Sequence, residues 1–211
     1  MRTAKSVGRT IGVLYLLQMA VAPLVNFGLL APALTAPPGF LANAAANTMQ
    51  VNVAVLLSLV TGALALGIAI TAAPVFRGYS DAMALWFVAL AVVSLSGLVV
   101  EGIAARSMLS LSQEYVKADP SDTGLFHAPA TLIRSVRNSA HYMNLLVSGG
   151  SLLVLYTVLF RFALIPRALS AFGLATVALL IARGFEDRTA VPGELLREAS
   201  VSVILSRVSS S

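Results

Sequence analysis

The sequence predicts an all-α fold, a multi-pass transmembrane helical bundle of about five spans, and three observations carry that expectation. Of the 211 residues, 58% are hydrophobic and 11% charged, against roughly 25% charged in soluble domains. Mean hydropathy is +0.88. The apolar residues gather into uncharged runs near the ~20 residues with which a helix crosses hydrocarbon while satisfying its own backbone hydrogen bonds.

The first run, residues 10–30, is followed by "APALTAPPGF" (31–40). Pro32, Pro37, Pro38 and Gly39 oppose helix continuation there and predict a loop. Runs 51–73 and 82–100 are the second and third spans, joined by the tight polar turn "PVFRGYSD" (74–81). The link 101–138 is the longest and contains "KADPSDTG" (117–124), whose Asp-Pro and Asp-Thr-Gly combinations are turn chemistry. Run 139–160 is the fourth span. A fifth, 168–182, lies between Arg167 and Arg183 and is short for a span unless it extends back through "FALIP" (162–166). The bundle therefore occupies 1–182.

Residues 183–211 alternate acids and arginines with apolar residues and cannot span. Leu195, Leu196, Ala199 and Val203 lie opposite Glu194, Arg197, Glu198 and Ser202, which suits either an amphipathic surface helix or a disordered tail.

Arg2, Lys5, Arg9, Arg77, Arg161 and Arg167 fall on one side of the bundle, with Asp81 as their one acid; Arg106, Lys117, Arg134 and Arg137 fall on the other. The positive-inside rule then puts the amino terminus in the cytoplasm, the 101–138 link outside and the protein in the cell membrane. A cleavable signal peptide over 1–36 is the competing reading, opposed by an apolar run longer than a usual signal core.

Composition also excludes function classes. The chain has no cysteine, two histidines and no HExxH spacing, so no metal or thiolate chemistry is expected. No glycine-rich loop opens a helix and no serine has a base and an acid in motif spacing, so neither a cofactor nor an enzymatic activity is expected. The net charge of +5 comes from cations spaced singly between apolar runs, which argues against nucleic acid as a partner and for the lipid bilayer.

The remaining signal is polar. Arg137, His141, Asn144 and Ser148 recur at helical spacing on one face, which Arg134 extends outward; Ser94, Gly97 and Glu101 make a second stripe, and Tyr15, Gln18, Ala22 and Asn26 a third. A charge at the centre of hydrocarbon costs ~2.5–3.5 kcal/mol on insertion scales, so such residues turn toward a bundle interior. Glu101 is expected to meet Arg137 and His141. Two readings stay open. In one, Glu101, Arg134, Arg137, His141, Asn144 and Ser148 form an outer-leaflet pocket for an anionic lipid headgroup or small organic anion. In the other, the polar residues and "SGGS" (148–151) are packing glue at ~0.6 kcal/mol per hydrogen bond, in a membrane subunit or homo-oligomer. A proton-coupled transporter using His141 and Glu101 is the alternative function.

The segments "HYMNLLVSGGSLLVLYTVLFRFALIPRALSAFGLA" (141–175) and "RTIGVLYLLQMAVAPLVN" (9–26) resemble the bacterial domain-of-unknown-function family 4386. Its members look like small integral membrane proteins with a "GxLYL"-like opening and a "LLYxLLYRSxLxPRxLxxxGL"-like passage. His141, Tyr156, Arg161, Pro166, Arg167, Leu169 and Gly173 stand at the matching positions. The resemblance implies a helical membrane protein of six spans and carries no activity, ligand or catalytic residue. At 183–211 the charged sequence departs from the apolar span with which members usually end.

Overall fold

A computed structural model describes residues 4–161, 167–179 and 181–182. The tail at 183–211 and the "FALIP" extension lie outside the described residues. Among those described there are helices and turns and no strand. Helix α1, Ala4–Pro23, continues as a π-helical segment, Leu24–Thr35. Then come α2 (Phe40–Ala46), α3 (Thr48–Arg77), α4 (Asp81–Lys117), a 3-10 turn (Thr123–Phe126), α5 (His127–Arg161) and a short helix α6 (Arg167–Leu179). Four helical stretches are long and apolar enough to cross a membrane, Arg9–Thr35, Thr48–Arg77, Asp81–Lys117 and Thr123–Arg161, and α6 is the shorter fifth.

Two expected loops are largely helix. Pro32 does not stop the first span. In this π-helical segment its missing N–H removes only the donor to the carbonyl five residues back, and the side chain of Gln50 braces the same stretch, donating to Leu29 O at 2.9 Å and Gly28 O at 3.3 Å. The chain turns only at 36–39, where Gly39 adopts φ +123°, a region that favours glycine.

The link 101–138 is mostly the continuation of α4 and the start of α5, with the connection confined to 118–126. The buried residues Ala104, Ala105, Met108, Leu109 and Ser112 recur at helical spacing, a period diluted in sequence by the polar residues among them.

Helix α4 has 37 residues, about 55 Å at 1.5 Å per residue, far more than the ~30 Å of hydrocarbon. Its outward face shows where the excess lies. Leu85, Trp86, Val92, Val93, Val99, Val100 and Ile103 are exposed, and Arg106, Ser110, Glu114 and Lys117 continue that face. The apolar part covers about 27 Å by the same rise. Beyond it the chain builds a helical head with its own core of Leu34, Phe40, Ala44, Val51, Met108 and Leu109. At the opposite end a second core joins Ile68, Ala72, Phe76, Phe87, Ala91 and Val158.

Burial from water of a side chain such as Leu34 or Met108 contributes about 1.5–3 kcal/mol, whereas helices within lipid are held by packing and hydrogen bonds. Ser112, fully buried, fastens α2 to α4 by accepting from Ala45 N–H and donating to Leu41 O, both at 2.8 Å. That contact fixes where Phe40 stands.

Candidate functional site

Helices α4 and α5 run antiparallel, and their polar stripes meet turn by turn between the two apolar cores. Arg137 Nη2 lies 3.5 Å from Glu101 Oε1, and His141 Nδ1 lies 3.1 Å from the same oxygen. The expected contact is present. An ionised carboxylate only accepts, so with Glu101 in that form the proton of this contact is on His141 Nδ1. One level deeper, Ser94 Oγ donates to Asn144 Oδ1 at 2.7 Å and lies 3.0 Å from Ser148 Oγ. Gly97 packs against this layer, and a Cβ there would stand at ordinary contact distance, 3.4 Å, from Asn144.

The Glu101–Arg137 pair is enclosed, with both side chains only about a tenth exposed (10% and 11%). The void beside it is about 10 Å³ and is lined by apolar groups such as Leu30, Val55 and Leu98. That volume holds one water at most. Here Arg137 and Glu101 are occupied with each other, and the pair acts as a fastening between α4 and α5. Desolvation offsets much of its Coulombic gain.

Arg134 stands apart from that cluster. One turn outward on α5, its guanidinium lies 5.7 Å from the centroid of the Phe40 ring, a cation–π distance. It borders a groove of about 270 Å³ with Pro38, Gly39, His127 and Thr131. His127, Thr131 and Arg134 share one face of α5, and among the described residues no carboxylate pairs with Arg134. The six residues singled out in the sequence thus divide into an ion-pair cluster (buried Glu101 and Arg137 with the more exposed His141), a hydroxyl–amide layer (Asn144, Ser148) and an outer groove residue (Arg134).

Sequence reasoning missed Phe40 and His127, which complete the groove. Both lie in segments taken as loop, and the helical spacing of 127, 131 and 134 was the signal that could have found His127. The hydroxyl–amide layer carries a modest expected effect. Ser94→Ala should cost about 0.6 kcal/mol for each lost hydrogen bond, a small downward shift in thermal unfolding in detergent. A loss as large as that from removing Glu101 would contradict its role as simple packing glue.

Residues 10–208 match the model of a family described as a domain of unknown function, DUF4386. The match runs through most of the charged segment at 183–211. No curated protein and no solved structure matches the chain.

Proposed function

The chain belongs to the DUF4386 family of domains of unknown function, and from that premise we propose that it is a non-enzymatic integral membrane protein that binds an anionic group, a phosphate or carboxylate, in the groove beneath Arg134. One observation carries this reading. An arginine without a carboxylate partner among the described residues is held over an aromatic ring beside a histidine and a hydroxyl, in a 270 Å³ groove. It stands at the level where the outer face of α4 turns from apolar to polar after Ile103, the depth of a lipid headgroup. The proposed orientation has a cytoplasmic amino terminus and the head outside, following the cation asymmetry. A homo-oligomer or a larger membrane assembly is compatible with it.

The test is thermal stability of the purified protein against inorganic phosphate, citrate and short-chain phosphatidylglycerol, in wild type, Arg134→Ala and His141→Ala. A compound at 100 times its Kd should stabilise by ~2.7 kcal/mol. The shift should vanish in Arg134→Ala and persist in His141→Ala. A shift with the lipid alone identifies a headgroup site, and a shift with the free anions a soluble ligand. No shift with any of the three would sink the proposal.

A second reading, a proton-coupled carrier, is favoured by one feature. The polar seam runs from Glu101 down α5 to Ser151. It predicts pH-dependent solute flux in vesicles that His141→Ala abolishes; flux unaffected by that change would remove this reading.

A further inference from the structure

The polar stripe of α1 is not used by the groove, and its Gln18 faces a cavity of its own. This cavity, about 60 Å³, lies deep in the bundle among α1, α3, α4 and α5. Tyr15, Gln18, Ser94, Ser148 and Ser151 supply its polar wall, while Ile68 and Phe87 of the inner apolar core close its floor. Gln18 Oε1 is buried and receives no hydrogen bond.

The Ser94 and Ser148 hydroxyls cannot supply the missing donor. Ser94 has one proton and gives it to Asn144 Oδ1. In its contact with Ser148 it can therefore only accept, so the Ser148 proton is spent on Ser94. Both hydroxyls keep lone pairs and lack protons to share. A molecule that donates to Gln18 Oε1 and to a serine oxygen at once would satisfy both. The molecule must also be small, since about 60 Å³ is room for only a few waters by the ~10–15 Å³ that one water requires.

We infer that this cavity is a hydration site, in which water bridges Gln18 of α1 to the Ser94–Ser148 pair and to Ser151. Bound water then joins α1 to the α4–α5 seam. Two hydrogen-bonded groups follow one another along α5, Glu101 with Arg137 and His141 at the head boundary and Asn144 with Ser94 and Ser148 deeper, and the hydration site extends the second to the level of Ser151. It ends on the apolar floor. The hydration site is closed on the inner side by Ile68 and Phe87, beyond which the inner apolar core with Phe76 and Val158 follows.

Hydroxyl-radical footprinting by X-ray radiolysis tests this directly in the full chain reconstituted in lipid nanodiscs, because radicals made from bound water modify the side chains touching it. Tyr15 at the cavity should be modified several-fold faster than Phe76 in the neighbouring dry core. In Gln18→Met, which keeps side-chain length and removes the amide, the Tyr15 rate should fall to that of Phe76. Equal rates for Tyr15 and Phe76 in wild type would overturn the inference without any variant. So would a Tyr15 rate unchanged by Gln18→Met, since Tyr15 would then be meeting bulk water.

Discussion

Replacing Glu101 with alanine is expected to destabilise the folded bundle by about 3–5 kcal/mol, because it leaves a buried guanidinium without its counter-charge. Arg137 is 9% exposed and its one described hydrogen-bond acceptor is Glu101 Oε1. Its Nε already donates to nothing, so a single substitution strips the cation of protein partners. His141 keeps over a third of its side chain exposed (38%) and can turn to the polar boundary, so His141→Ala should cost much less. The double variant Glu101→Leu with Arg137→Met is the decisive arm. Apolar residues of similar volume remove both desolvated charges, and buried pairs replaced in this way commonly lose little stability or gain it. Equilibrium unfolding in mixed micelles reads all three. A Glu101→Ala variant as stable as wild type would mean that water reaches Arg137, and a double variant no better than the single would mean that the pair holds α4 to α5 by more than charge.

Adding a side chain at Gly173 should separate α6 from α5. A Cβ at Gly173 would fall on the ring of Tyr156. The ring belongs to a packed interface, where Ser170 and Val177 are buried and Gly149 of α5 lies close to Ile181. A rigid ring cannot yield as the end of a leucine can. Overpacking of this kind costs typically about 1–3 kcal/mol, and Gly173→Val, with its branched side chain, should lie at the upper end. Thermal unfolding of Gly173→Val alone and with Tyr156→Ala measures it. The second substitution should recover much of the loss by opening space. Gly12, with no atom within 4 Å of a would-be Cβ, is the control: Gly12→Ala should stay within about 0.5 kcal/mol of wild type, as surface changes usually do.

The helical class and the seam were legible in the sequence for the same reason. Hydrocarbon admits only helices here, so uncharged runs mark spans, and a polar residue inside such a run must turn inward. Glu101 opposite Arg137 and His141, and Ser94 opposite Asn144 and Ser148, follow from that constraint. The lengths of α4 and α5 did not follow. Outside hydrocarbon a helix needs no continuous apolar run, so 104–117 and 127–138 resembled a polar link while their buried residues were building the head. Pro32 misled for a related reason: a π-helical path carries the chain past it, and that segment is braced by Gln50, remote in sequence and brought near only by the packing of α3.

By itself, then, the sequence determined a multi-pass helical membrane protein and the faces on which its polar residues lie, because both depend on local composition and the 3.6-residue period. Only the tertiary structure decided what each polar residue does. Arg134 and Arg137 are three positions apart on one helix, yet one faces an open groove over Phe40 and the other a carboxylate in a void of one water. What separates them is the α2 segment, set by Ser112 against α4, and no spacing within α5 encodes where another helix will pack.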